Sequence, residues 1–323
     1  MKKLSACRLL EFAGKEATKL PNETKELGQF IPLHYHYAML CDQHRMEGFN
    51  AAISHTVKPG AAVLELGGGT GVLSFFAAQN ARKVYCVEFN PELVEKARGL
   101  LKNNRNGDRV EVIHADAFEY IPPEPVDVVI CEMLHVGLVR EKQMEMIDAF
   151  KKRYASAFKA APMPFFIPMI TIQAIQPVYY DFHFSGYHAP MSQFQNQYAV
   201  SPRTLELGEP VIYHKLVYEE PYGLSCKWSG AVPITVEGNL NALRYITKNV
   251  LAVAVENAAA GQGSEGEAPP APVPSIFEWY NQYLILPLET ETLVKPGQQM
   301  NVSLDYPAGA PISALTPVVT GPL

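Results

Sequence analysis

The sequence predicts an α/β domain built on a parallel sheet, followed by a mostly β, barrel-like domain. Three observations predict it. A glycine-rich turn follows an apolar run at residues 63–73, acidic residues close successive short strands, and the composition changes after about residue 160. Residues 1–30 read as an N-terminal helical segment, 31–160 as the parallel-sheet domain and 161–323 as the β domain. In the first strand, Val63-Leu64-Glu65-Leu66 is apolar except for Glu65, and Gly67-Gly68-Gly69-Thr70-Gly71 then leads into helix formers. That pattern is strand, tight loop, helix N-terminus, where glycines let the backbone approach a ligand. Lys83 to Glu88 reads as a second strand ending in an acid, and Pro91 to Asn103 as a helix with Leu93, Val94, Ala97, Leu100 and Leu101 on one side. Arg109 to Ile113 is a third strand, followed by Asp116, and Val126 to Cys131 a fourth. The β-α-β-α-β-loop-β order predicts a parallel sheet with helices on both faces.

A dinucleotide fingerprint requires Gly-x-Gly-x-x-Gly. Read from Gly67 it fails, because position 72 is Val72. The Gly67, Gly69, Gly71 spacing resembles the glycine motif of class I methyltransferases, whose Rossmann-like domain binds S-adenosylmethionine. Glu88 lies 21 positions after Gly67, where a nucleoside-binding βαβ unit places a carboxylate for ribose hydroxyls. The resemblance puts Asp116 near the adenine amine and the residues from Glu65 to Gly71 around the cofactor.

Bulk properties restrict the partners. The chain has 323 residues and a net charge of −6, which argues against a nucleic-acid backbone as partner. No apolar run approaches the length of a membrane-spanning helix. Only six residues precede Cys7, too few for the apolar core of a lipoprotein signal. The five cysteines are scattered and form no CxxC pair, as expected of reduced thiols in a cytoplasmic protein. His34 and His36 form an HxH pair, but no further ligand pattern supports a metal.

After residue 160 the chain carries pieces rich in β-branched and aromatic residues: Met169 to Tyr180, Val211 to Tyr218, Ala231 to Glu237, Leu251 to Val255, Trp279 to Leu286 and Asn301 to Tyr306. Met163-Pro164 and Ile167-Pro168 mark the expected junction. A low-complexity segment at 258–274, made of Ala, Gly, Ser, Glu and Pro, reads as a surface loop.

Glu132 ends the fourth strand and Glu141 follows nine positions later. Here the chain resembles the protein arginine methyltransferases, whose loop at this place carries two glutamates at this spacing. His36 to Arg45 is similar to the family helix that closes over the cofactor. Phe277-Glu278-Trp279 falls where the family has Thr-His-Trp, and Lys295-Pro296-Gly297-Gln298 matches the turn after it. A β-barrel after the methyltransferase domain is the family architecture. The resemblance implies S-adenosylmethionine as cofactor, Arg45 paired with its carboxylate and His36 beside it. It implies catalysis by Glu132 and Glu141, and a homodimer. Two carboxylates can hold a planar guanidinium by bidentate hydrogen bonds, localise its charge and accept the lost proton.

Several positions depart from the family pattern. Glu278 replaces the Thr-His-Trp histidine, and Met133-Leu134-His135 replaces Trp-Met-Gly in the glutamate loop. Glu26 to Phe30 aligns with the substrate-covering helix but lacks its tyrosines. The dimerisation arm would fall near Asp181 to Ala199, where the aromatics also read as barrel core. An acceptor pocket of Met133, His135, Glu278 and Trp279 is expected, with Glu278 as a third carboxylate beside Glu132 and Glu141. The function implied is methyl transfer to a guanidinium or other cationic nitrogen on a protein or peptide. Small-molecule N- or O-methylation on the same scaffold, and cofactor binding without turnover, fit the same residues.

Overall fold

The computed structural model describes residues 31–255 and 274–321. The N-terminal helical segment and nearly all of the low-complexity loop lie outside the described residues. The first unit opens with two helices, α1 (Leu33–Cys41) and α2 (Gln43–Thr56). It continues as β1 (Ala62–Leu66), α3 (Val72–Ala78), β2 (Lys83–Glu88), α4 (Pro91–Lys102), β3 (Val110–His114), β4 (Val128–Cys131), α5 (Gln143–Ala157) and β5 (Phe165–Ile167). The five strands pair in parallel in the order β3-β2-β1-β4-β5. This is the Rossmann-like sheet expected, and it runs on through Phe165–Ile167, past the boundary expected at 160.

Local chemistry accounts for the helix ends. Asn90 caps α4 by accepting the Glu92 N–H, with Pro91 in the first turn. Asp42 caps α2 by accepting the Arg45 N–H. α4 buries Leu93, Val94, Ala97 and Leu101 on one face. Leu100, expected on that face, is exposed.

The second unit is β6 (Ile170–Tyr180), a hairpin of β7 (His183–Phe184) and β8 (Tyr187–His188), β9 (Gln193–Gln195), β10 (Thr204–Glu206), β11 (Val211–Val217), β12 (Ser225–Pro233), β13 (Gly238–Val255), β14 (Pro274–Tyr280), β15 (Tyr283–Val294), β16 (Gln299–Pro307) and β17 (Val318–Thr320). Its strands form a seven-stranded sheet and a three-stranded sheet, β12-β16-β17, with antiparallel pairing. A core that includes Ile175, Tyr213, Leu243, Tyr245, Val302 and Leu304 lies between the two sheets. The expected barrel is therefore corrected: among the described residues the sheets stay open. One edge of β13 pairs with β15 through its first half and with β14 through its second, with a bulge in each ladder. Among the described residues no strand pair joins the seven-stranded sheet to the three-stranded one, so the continuous ring of hydrogen bonds that a barrel needs is not formed.

The two units share one core. Phe49 of α2, Val129 of β4 and Phe150 of α5 cluster with Leu216, Tyr218, Leu251 and Trp279 from the second unit. Among the described residues no helix is long and apolar enough to cross a membrane.

Candidate active site

A parallel sheet delivers its strand ends to one edge, where ligands sit. Glu65 and the glycine turn come from β1, Glu88 from β2, Asp116 from the loop after β3 and Glu132 from the end of β4. Gly67, Gly69 and Gly71 have φ of 78°, 54° and 79°. Only glycine adopts these without strain. A Cβ at Gly69 would also meet the His36 ring at 3.0 Å, and one at Gly67 would meet Met133 at 3.3 Å. The bare turn is thus flanked by His36 and Met133.

Glu88 is buried and accepts the Gly69 N–H at 2.8 Å and the Asn90 N–H at 2.7 Å. Its carboxylate locks the turn to the end of β2. Asp116 is exposed and accepts the Phe118 N–H at 2.9 Å, beside the Ala115–Glu88 backbone bond. Glu65 departs from its expected place. It is 2% exposed and accepts both the N–H and the hydroxyl of Ser74. Burial pushes its pKa up to about 7 against those two bonds. Glu65 is a brace beneath the turn, because a group so enclosed offers a ligand no surface.

His36 is buried, and its Nε2 has no hydrogen-bond partner. Burial lowers its pKa, outweighing the pull of Glu88. Arg45 is 5% exposed. Its guanidinium forms a buried ion pair with Glu132 and lies 5.4 Å from the Phe49 ring centroid and 6.0 Å from that of Trp279. The guanidinium expected on the cofactor carboxylate is therefore held by Glu132 here, while its Nε has no partner.

Glu141 is raised to about 8, first by burial and then by the Glu132 charge. Between the two glutamates the loop takes positive φ at Gly137 (72°), Leu138 (54°) and Arg140 (64°). Such backbone persists only where its surroundings impose it. Gln143 does so at one end, receiving the Met133 N–H at 2.8 Å and donating to the Cys131 carbonyl at 2.6 Å. Asn281 donates to the Leu134 carbonyl at 2.8 Å, Asn249 donates to Asn281 at 2.9 Å, and Thr171 donates to Asn249 at 2.9 Å. Thr247 accepts the Gly137 N–H at 2.9 Å, and Ala310 accepts the Arg140 N–H at 2.6 Å.

His135 sits in this loop with its ring edge-on to Phe194, centroids 5.7 Å apart. Burial pushes its pKa down to about 4. Trp279 is buried on the Arg45 side and donates to Asp42 at 3.3 Å. Glu278 corrects the expectation of a third carboxylate. It alternates with Trp279 along β14 and pairs with Lys248 at 2.5 Å. Opposite Glu278 in register is Val250, and opposite Trp279 is Asn249. Neighbouring positions of a strand face opposite sides, so Glu278 lies on the face away from Asn249, Thr247 and the glutamate loop. Among the described residues no group of three or more His, Cys, Asp or Glu side chains could hold a metal ion.

Comparison with known proteins supplies the relationship. Residues 63–155 match the family described as a methyltransferase domain. Over 119 residues the chain is 35% identical to an uncharacterized protein of Methanocaldococcus jannaschii, covering 37% of this chain and 46% of that protein. Over 126 residues it is 36% identical to protein arginine N-methyltransferase PRMT10 of Oryza sativa subsp. japonica, covering 38% and 33%. Over this segment the chain is similar to protein arginine N-methyltransferases. The matched segment spans less than half the length of either relative. The fold matches that of the Trypanosoma brucei PRMT1 enzyme-prozyme heterotetrameric complex with AdoHcy, at a TM-score of 0.66 and 16% identity, over 90% of this chain and 97% of that one.

The supports of the loop, Gln143, Thr247, Asn249 and Asn281, escaped sequence reading. One signal was available. Thr247 and Asn249 are polar residues at alternate positions in the long β run that ends at Val255. Buried polar groups in a strand mark a hydrogen-bonded partner.

Proposed function

We propose that the chain is an S-adenosylmethionine-dependent methyltransferase acting on a guanidinium or other cationic nitrogen of a protein or peptide. The observation that carries this reading is the acidic pair. Glu132 already holds a guanidinium, and Glu141 shares its field at the edge occupied by the glycine turn. The residues fit the cofactor. The turn is a cradle that any Cβ would fill, and His36 Nε2 and Arg45 Nε are buried atoms with no partner. Glu88 would hold the ribose hydroxyls, Asp116 the adenine amine, and Gly67 to Gly71 the methionine portion, with Arg45 shared between Glu132 and the carboxylate. When bound, the cofactor supplies a methyl group on a sulfonium for in-line displacement.

Catalysis of such a displacement is largely positioning. Glu132 and Glu141 grip the acceptor cation and draw its charge to the far nitrogens. Glu141, raised to about 8, is matched to take the proton released near neutral pH. Met133, His135 and Trp279 border the acceptor. We assign the enzyme to the cytoplasm on its free thiols, Cys41 exposed and Cys86, Cys131 and Cys226 buried.

The test has two parts. Calorimetry should show S-adenosylhomocysteine binding, and Glu88→Ala should weaken it by roughly 1.5–3 kcal/mol through lost charge-assisted bonds. Incubation of cell extract with isotopically labelled cofactor, read by mass spectrometry, should find label on a macromolecular basic side chain. Tight NAD binding without cofactor binding would sink the reading. Label lost on dialysis of the extract would transfer it to a small molecule.

A further inference from the structure

Leu138 and Arg140 hold positive φ, at 54° and 64°, without being glycine. Two backbone bonds impose that conformation. The Gly309 N–H donates to the Leu138 carbonyl at 2.9 Å, and the Arg140 N–H donates to the Ala310 carbonyl at 2.6 Å. Gly309 and Ala310, just beyond β16, thus clip the residues that lead into Glu141. The clip has two supports of its own. The Ala308 N–H donates to the Leu224 carbonyl at 3.0 Å. On the bare side of Gly309, whose φ is 64°, stands the carboxyl of Glu145, which a Cβ at Gly309 would overlap. Glu145 lies in the first turn of α5, four residues after Glu141. An acid there complements a helix N-terminus by its charge. This one is placed to act by contact. Its Oε2 is buried without a hydrogen-bond partner, and burial raises its pKa against the pull of Lys142. Lys142 on its own helix and Tyr222 in the segment after β11 are the titratable groups whose fields reach it.

We propose that Glu145 is a positioning residue for Glu141: its carboxyl fills the space beside the Gly309 Cα and holds the clip against residues 138–140. Its consequence for catalysis rests on the methyl-transfer reading, which makes Glu141 part of the acceptor site. Shape carries the effect, and charge does not. With the contact removed, Gly309 and Ala310 settle toward α5, Leu138 and Arg140 lose the bonds that hold their backbone, and water reaches Glu141.

The experiment uses the full chain carrying carbon-13 at its glutamate carboxyls, titrated by NMR, with the Glu141 signal assigned by its loss in Glu141→Gln. The wild-type midpoint should lie at about 8. Glu145→Ala should lower it by roughly one unit, because a rehydrated carboxylate is less costly to charge. Glu145→Gln, which keeps the shape and removes the charge, should leave it in place. Gly309→Ala should lower it as well, and should do so less in the Glu145→Ala background, where space for the Cβ is open. The φ strain of an alanine is common to both backgrounds and cancels. Glu145→Asp, one methylene shorter with its charge kept, should shift the midpoint downward and serves if Glu145→Ala does not fold. Transfer of labelled methyl groups to dialysed cell extract should fall roughly tenfold in Glu145→Ala and hold in Glu145→Gln. A wild-type midpoint in the ordinary glutamate range, a midpoint unmoved in the shortened variants, one moved as far by Glu145→Gln, or a Gly309→Ala effect independent of residue 145 would overturn the proposal. Absence of transfer in the wild type would instead overturn the methyl-transfer reading, while the titration still decides the role of Glu145.

Discussion

In the proposed mechanism the Glu141 carboxyl is the side chain on which the chemistry turns. Burial and the Glu132 charge raise it to about 8, whereas an unfolded glutamate titrates near about 4.3. Between those values the folded chain keeps a proton that the unfolded chain has lost. The stability Glu141 contributes is therefore full below about 4.3 and is lost as pH rises through about 8. Activity should run the other way, because only the anion grips a cation and accepts its proton. Methyl transfer should climb with pH toward about 8, and Glu141→Gln should abolish that climb and lower the rate roughly a hundred- to thousandfold. Glutamine is nearly isosteric but presents donors to a donor, so cofactor affinity should hold. Single-turnover rates across pH at saturating cofactor check this. A climb that survives in Glu141→Gln would move the titrating role to another group. Glu132→Gln should cut the rate as well, and the double variant should fall short of the product of the single losses, because both act on one group.

Elements decide whether those carboxylates meet. Strand β13 and the turn from β14 to β15 supply Thr247, Asn249 and Asn281, which hold the glutamate loop from behind. Asn281→Ala should leave the Leu134 carbonyl and the Asn249 amide unpaired and cost about 1–3 kcal/mol of stability. It should lower methyl transfer and leave cofactor affinity unchanged, because the glycine turn belongs to other elements. Denaturant melts paired with cofactor calorimetry would show whether the loop alone is affected; an unaltered rate would make Asn281 a purely structural residue. The same division explains what the sequence could reveal. The glycine turn and the strand-end acids were legible because each is a local pattern fixed by backbone geometry, and the glutamate pair because its spacing resembles a family loop. The pair Arg45–Glu132, 87 residues apart, was legible only as two separate residues. Strand β5, three residues of Phe-Phe-Ile between prolines, is too short to carry a period. The face chosen by Glu278 depends on register, and the separation of the two sheets on which strands pair, and both are set by long-range contacts.

At the scale of the molecule, the two units share one core because α2 and α5 of the first pack against the second. Phe49 and His55 of α2 meet Trp279 and Phe277, and Lys151 of α5 donates to the Tyr218 carbonyl at 2.8 Å. Gly48 marks the closest approach of α2, since a Cβ there would stand 3.0 Å from the Glu278 carbonyl oxygen. A backbone oxygen in a paired strand cannot turn aside as a side chain would. Gly48→Leu should therefore push α2 off β14, although leucine is the better helix former. Overpacking of this kind costs about 1–3 kcal/mol, so the net effect is a destabilised interface between the units. Because the core is continuous, calorimetry should show one unfolding transition in the wild type, with calorimetric and van't Hoff enthalpies equal. Gly48→Leu should lower that transition by a few degrees, at about 2–4 °C per kcal/mol for a chain this long. The displacement should reach the site as well, because α2 carries Arg45 next to the helix turn that moves. Methyl transfer should then fall with stability. Two resolved transitions in the wild type would show that the units melt independently. In that case a Gly48→Leu variant of normal activity would confine the role of α2 to holding Arg45.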